Sequence, residues 1–250
     1  MNNKILKKIL GLFGYKLIDK YLIKKNRLLS EKSFLSIDRL LKNLFSQKII
    51  NSLIQIGAND GERFDAINSF IKEYKPQCLL VEPIIENYEK LKKNYENFNS
   101  IKFDNSAISV NKEINYLYKV NPNKILNYGH HIPGITSFDK NHLIKHGVKK
   151  KDIIKESVKS ISIKDLIYKH KLNTFDLLFI DAEGYDGNIV IDFLSTVSLR
   201  PIIILEYIHI ENEIFNKLVT QLERNNYVFF SINENMVCFP DEKKSHINLN

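Results

Sequence analysis

A chain of 250 residues that is 44% hydrophobic, 26% charged and 11% aromatic has the composition of one folded domain with a full core, which argues against a disordered chain. The two cysteines, Cys78 and Cys238, sit inside apolar runs, so no disulfide framework and no cysteine-based zinc site is expected. The formal charge of +8 is concentrated at one end: residues 1–27 hold Lys4, Lys7, Lys8, Lys16, Lys20, Lys24, Lys25 and Arg27 against Asp19 alone, so the remainder is near neutral and offers no extended basic face to nucleic acid.

Apolar residues recur every three or four positions across 4–22, which predicts an amphipathic helix weakened by Gly11 and Gly14. Two readings stay open for residues 1–27: a helix packed by its apolar face onto the rest of the protein, or a helix lying on an anionic membrane surface. No apolar run reaches the roughly 20 residues that span a bilayer, and no signal core precedes a small-residue cleavage site, so a cytoplasmic location is expected, with peripheral contact at the inner membrane face under the second reading. A further helix is expected at 31–45. Residues 1–47 are therefore read as a basic helical extension and 48–250 as the main domain.

Beyond residue 48, short apolar runs alternate with amphipathic stretches, the pattern of a parallel sheet with crossover helices. Strands are expected near 50–56, 78–82, 101–103, 176–181 and 201–206, with helices near 62–74, 85–97, 164–170 and 186–194. A helix at 211–224 and strands at 227–232 and 236–239, joined through Asn233-Glu234-Asn235, close the chain with an antiparallel hairpin. The fold class is a doubly wound, mostly parallel, seven-stranded Rossmann-like α/β sheet. Regularity fails across 108–160, where strands at 114–120 and 158–163 flank a stretch punctuated by Pro122, Gly129, Pro133, Gly134 and Gly147. Long irregular insertions of this kind are commonly functional lids or disordered, and acceptor-binding residues are expected here although no chemistry is legible in them.

The first strand runs into Gln55-Ile56-Gly57-Ala58-Asn59-Asp60-Gly61. Gly57 and Gly61 permit a sharp turn and close approach to a ligand, and their spacing is not the G-x-G-x-x-G of dinucleotide binders. The second strand ends in Val81-Glu82-Pro83, placing Glu82 where a carboxylate accepts hydrogen bonds from ribose hydroxyls. Asp104-Asn105-Ser106-Ala107 follows the third strand, either as a border for an adenine ring or as a plain turn. The fourth strand delivers Asp181-Ala182-Glu183-Gly184-Tyr185-Asp186, and two carboxylates two residues apart at a sheet mouth are costly unless they bind something or share a task. Capping of the next helix accounts for one of them at most.

The runs IQIGANDG, VEP, FDLLFIDAEGYD and PIIILEY, in this order, resemble the FkbM family of class I methyltransferases over about residues 50–240. The resemblance implies S-adenosylmethionine as cofactor, with Gln55, Gly57, Ala58, Asn59, Gly61, Glu82, Pro83, Ser106, Ala107 and Asp181 as candidate cofactor-binding residues. Gln55 stands where the wider class more often has an acidic residue. The family implies O-methylation of sugar hydroxyls or complex secondary metabolites, and a sugar hydroxyl of a surface polysaccharide or glycan precursor is the expected acceptor. Asp181 and Glu183 are the candidate catalytic bases, with His130, His131 and His209 as competitors. Asp181 and Glu206, with His209 nearby, also make a candidate oxygen-rich divalent-metal site. Two other classes remain: a nucleic-acid methyltransferase, disfavoured because the Asn-Pro-Pro-aromatic run is missing after the fourth strand, and a non-catalytic binding module, disfavoured by the paired carboxylates beside the Gly turn.

Overall fold

Branched aliphatic runs four to six residues long are too short for stable helices and too apolar for an exposed strand, and they form the centre of the sheet. In the computed structural model, residues 36–63, 65–111, 115–129 and 132–246 are described. The chain divides into two units, Met1–Leu40 and Leu41–Asn250. The expected 4–22 helix, the basic segment 1–27 and the pair His130-His131 lie outside the described residues. Helix α1 is Ile37–Ser46, and in the larger unit Leu41, Leu44 and Phe45 are buried, with Phe45 stacked on Phe70 and Tyr74 at 5.5 and 5.6 Å. No helix among the described residues is long and apolar enough to cross a membrane.

The strands are β1 (Ser52–Ile56), β2 (Gln77–Val81), β3 (Ile101–Asp104), β4 (Ala107–Ile108), β5 (Tyr116–Val120), β6 (Ile153–Ser157), β7 (Ser160–Ile161), β8 (Leu177–Ile180), β9 (Ile202–Glu206), β10 (Tyr227–Ile232) and β11 (Asn235–Pro240). Seven of them form one sheet in the order β10-β11-β9-β8-β1-β2-β3, parallel except for β11, which runs antiparallel to both neighbours. Every residue of β8 and the first four of β9 are buried, as continuous apolar runs covered on both faces require. The connecting helices are α2 (Asn68–Tyr74) and α3 (Ile85–Asn94), followed by α4 (Lys140–Lys145) in the insertion, then α5 (Ile163–Lys169), α6 (Asp186–Thr196) and α7 (Asn212–Arg224). From β1 the chain builds outward through β2 and β3, then returns to lay β8 on the other side of β1. Strand order reverses there, and in open α/β sheets the crevice outside the carboxyl ends at such a reversal is where ligands bind.

Three expectations change. The helix expected from 62 starts only at Asn68, because the Asp60 carboxylate accepts the N–H groups of Glu62 and Arg63 at 3.1 and 2.8 Å and holds this stretch in a turn. The strand expected at 158–163 is divided: β6 ends at Ser157, β7 is two residues long, and Ser162 caps α5 by accepting the Asp165 N–H at 3.1 Å. The C-terminal hairpin turns on Asn233 and Glu234 alone, since Ile232 pairs with Asn235, and Asn233 takes the left-handed conformation the tight turn needs.

The 108–160 insertion has a core of its own. β5 and β6 pair antiparallel, β4 pairs with β7, and Val120, Ile132, Ile135, Leu143, Val148 and Ile153 bury against one another around α4. The end of β3 is tied down separately. The fully buried Asp104 carboxylate accepts from Lys169 at 2.7 Å, from His170 at 2.5 Å and from the Ser106 hydroxyl at 2.7 Å. Burial alone raises a carboxyl, but these three bonds outweigh it and hold Asp104 below its ordinary range.

Candidate active site

The site begins where β1 stops. Gly57 adopts φ +82°, and a Cβ there would lie 1.9 Å from the Asp181 carbonyl oxygen, so only glycine lets the β1 turn and the β8 loop approach this closely. The N–H groups of Gly57 and Ala58 both donate to the Val81 carbonyl at 3.0 Å, which fixes the turn against the end of β2. The next residue, Asn59, is left-handed and donates its N–H to Glu82 Oε2 at 2.9 Å. Glu82 Oε1 accepts from the Ile84 N–H at 2.8 Å. The Glu82 carboxyl is almost wholly buried, and that burial pushes it up to about 7. Asn105 donates from its side chain to the carbonyls of Glu82 and Pro83 at 2.9 and 3.0 Å, locking the β2 and β3 ends together.

A cavity of ≈ 590 Å³ opens outside these strand ends. Gly57, Ala58, Asn59, Glu82, Pro83, Ser106, Ala107, Asp181 and Glu183 line it, together with Glu206 and His209. Two of the sequence candidates do not. Gln55 is buried within β1, 2% exposed and one position before the strand's end, and its Oε1 has no hydrogen-bond partner. Gly61 faces the other way, with Leu91 and Tyr95 carbons 2.6 Å from where its Cβ would be, so its task is packing of the turn. A residue absent from the sequence-based set takes a place in the wall: Asp65, whose Oδ1 accepts the Ile67 N–H at 2.9 Å, has an Oδ2 without a partner and a carboxyl raised chiefly by burial.

The loop after β8 separates structural from chemical carboxylates. Asp186, fully buried, accepts from the N–H groups of Ala182 at 3.3 Å and Gly184 at 3.2 Å and so shapes the loop, while burial pushes its own carboxyl up to about 6. Neither Asp181 nor Glu183 performs that task. Glu183 and Gly184 have φ of +50° and +91°, and a left-handed non-glycine at a cavity mouth is the kind of strain held in place by its surroundings. Here the insertion supplies the hold: the Ser137 hydroxyl donates to the Glu183 carbonyl at 3.0 Å, and His142 Nε2 lies 2.9 Å from Glu183 Oε2. Burial, then the charges of Asp186, Glu183 and Glu206, raise Asp181 well above its ordinary range, and burial pushes Glu206 up to about 7.

The metal set expected from Asp181, Glu206 and His209 does not assemble. The metal-ligating side chains that gather among the described residues are His142, His146 and His209, with one ligand atom from each within 4.8 Å of the others. His209 Nε2 stands 3.8 Å from Glu206 Oε1, and burial followed by the neighbouring His142 lowers its imidazole. His142 and His146 went unread in the sequence, although two histidines four residues apart share one helix face, a signal available in 140–146.

With no Lys or Arg among its described lining residues, the cavity is an acidic pocket at the reversal point of the sheet. Crowded carboxylates there are costly until a cation enters. A profile of the Methyltransferase FkbM domain matches residues 55–229. Among solved structures the chain is similar to Methyltransferase FkbM from Methylobacillus flagellatus KT, at 13% identity and TM-score 0.45, over 76% of this chain and 44% of that one. It is also similar to an O-methyltransferase from Bacillus cereus in complex with SAH, at 9% identity and TM-score 0.40, over 94% and 96% of the two chains. A methyltransferase from Geobacter sulfurreducens is similar at 11% identity and TM-score 0.40, over 95% and 96%. The chain thus spans less than half the length of the first of these structures, and no curated protein sequence matches it significantly. On the match over 55–229 and the sheet that carries it, the chain belongs to the FkbM methyltransferase family.

Proposed function

We propose that the chain transfers the methyl group of S-adenosylmethionine to a hydroxyl oxygen, and that the acceptor is a sugar hydroxyl of a surface polysaccharide or glycan precursor. One observation carries the cofactor: a buried carboxylate-rich cavity, without Lys or Arg in its described wall, lies at the strand-order reversal with Glu82 at the end of β2. A sulfonium and an ammonium are cations that such a wall attracts, whereas the pyrophosphate of a dinucleotide would find no Lys or Arg in the described wall. Glu82 accepts from the ribose hydroxyls through the lone pairs its two backbone donors leave open. Pro83, Ser106 and Ala107 border the adenine, and the unpartnered oxygen of Asp65 receives the ammonium in place of the acidic side chain that Gln55 does not provide.

Methyl transfer is an in-line displacement. The acceptor oxygen forms the new O–CH3 bond as the S–CH3 bond breaks, the sulfonium becomes a neutral thioether, and the hydroxyl proton must leave. In this reading Glu183 takes that proton and Asp181 offsets the charge of the positive sulfur. Positioning provides up to ~7–11 kcal/mol and the base roughly 10²–10⁴-fold. Thr136, His146 and Glu234 add polar groups to the cavity wall, which suits a polyhydroxylated acceptor.

Asp181→Asn and Glu183→Gln are expected to melt close to the parent, because Asp186 makes the loop's backbone bonds, and to lose at least about tenfold in turnover. The assay is transfer of labelled methyl from S-adenosylmethionine to polysaccharide precursors, beside thermal melts of each variant. Two variants that both melt far below the parent would assign these carboxylates to the fold instead.

A further inference from the structure

The three histidines form a site that the methyl-donor pocket does not require. His142 and His146 lie four residues apart, on α4 and at its C-terminal cap, and His209 comes from the loop after β9. Their rings meet at centroid distances of 4.6, 4.9 and 5.0 Å, and the three ligand atoms lie within 4.8 Å of one another. Gly184 leaves the room this convergence needs. A Cβ on it would come 3.3 Å from the His209 carbonyl oxygen, 3.6 Å from the His209 Cβ and 3.6 Å from His142 Nδ1.

We propose that His142, His146 and His209 bind a divalent metal of the Zn²⁺ class, with a remaining coordination position open to the cavity for the acceptor's hydroxyl oxygen. Imidazole nitrogen suits Zn²⁺ and its first-row neighbours, while Mg²⁺ and Ca²⁺ take oxygen ligands, so the donor set selects against the latter. Three protein ligands with one position left open is the arrangement of catalytic zinc, whereas structural zinc is closed by four.

Two further contacts point the same way. Histidines that hold a metal through one ring nitrogen commonly donate the other N–H to a carboxylate, which fixes the tautomer. His142 has the geometry for this: Nε2 lies 2.9 Å from Glu183 Oε2, and Nδ1, 3.6 Å from where a Cβ on Gly184 would be, is the nitrogen left for a metal. His146 and His209 both line the cavity, so a metal between them borders the space where an acceptor must lie. Zn–N bonds of about 2.0–2.1 Å set ligand nitrogens roughly 3.4 Å apart, so binding draws the rings together by side-chain rotation from their present spacing. The metal's role in acceptor activation rests on the methyl-transfer reading above. The metal site itself does not.

The test uses the full chain, stripped with a chelator and titrated with Zn²⁺ and separately with Mg²⁺ by calorimetry. One Zn²⁺ per chain is expected, with no Mg²⁺ bound at the same concentrations, and His146→Ala and His209→Ala should each weaken Zn²⁺ binding at least about a hundredfold. The Co²⁺-loaded parent should absorb in the visible as a low-coordinate imidazole site, and azide should shift that spectrum by entering the open position. Sub-stoichiometric Zn²⁺, Mg²⁺ binding in its place, or variants that hold Zn²⁺ as tightly as the parent overturn the site. A Co²⁺ spectrum indifferent to azide overturns the open position. Binding of S-adenosylmethionine to the metal-free chain is measured in parallel. Zn²⁺ binding without it removes the methyl-donor reading and keeps the metal, and the reverse removes the metal alone.

Discussion

Replacing Glu82 by alanine is expected to weaken S-adenosylmethionine binding by roughly 30- to 1,000-fold, the loss of two charged-acceptor hydrogen bonds at about 2–4 kcal/mol together. The pH dependence follows from the same carboxyl. In the unliganded protein burial raises it from 4.5 to about 7. Ribose hydroxyls donate to the ionised form, so binding favours the carboxylate and releases a proton. Affinity should therefore climb as pH rises toward about 7 and level off above it. The free protein shows the opposite slope from this group: a carboxyl raised by folding contributes stability that is fully present below 4.5 and is lost as pH rises through about 7. Calorimetric affinities for the parent and Glu82→Gln across this range check both statements. Glu82→Gln should bind weakly with a shallower profile, what remains coming from Asp181 and Glu206, and a profile parallel to the parent's would assign the titration to those groups alone.

Gly57→Ala is expected to be severely damaging. Its Cβ would sit 1.9 Å from the Asp181 backbone oxygen, and neither partner is the end of a flexible side chain. The left-handed φ of +82° adds about 1–3 kcal/mol for a non-glycine, and relieving the clash adds a similar amount. A loss on the order of 3–5 kcal/mol lowers the melting temperature of a protein this size by roughly 10 °C. Gly147→Ala is the control. It has a comparable φ of +87° but no atom within 4 Å of the added Cβ, so it should cost the conformational strain alone. Thermal unfolding of the two variants separates close approach from backbone strain, and equal losses would show that the contact between the β1 turn and the β8 loop does not govern Gly57.

The parallel half of the fold was legible because the physics of a covered sheet writes itself locally. Leu177-Leu178-Phe179-Ile180 and Ile202-Ile203-Ile204-Leu205 are apolar throughout because both faces are buried, and each is followed at once by polar residues at the strand end. The Gly57 turn and Glu82 were legible for the same reason, since strand ends facing a crevice lose their apolar pattern abruptly. The insertion was not. Its strands are two to five residues long, its hydrophobic cluster is gathered from Val120 to Ile153 across several turns, and no period of 2 or 3.6 survives such spacing. Asp65 was hidden because Asp60 and Asp65 bond to the backbone ahead of them and delay a helix that the pattern places earlier. The partnership of Glu183 with His142 joins residues 41 apart and depends on how the insertion folds back over the β8 loop, which nothing local encodes. Gln55 shows the limit of motif spacing: position in the first motif does not say how deep a side chain lies, and Gln55 is 2% exposed within the strand, outside the residues that line the cavity.

Equilibrium binding of labelled S-adenosylmethionine and of NAD to the full chain distinguishes a methyl-donor site at the β1 and β8 ends from a dinucleotide site. The carboxylate wall and Glu82 predict one saturable S-adenosylmethionine site per chain, abolished or severely weakened in Glu82→Ala, and no measurable NAD binding. Saturable NAD binding, or S-adenosylmethionine binding untouched by Glu82→Ala, would contradict the account.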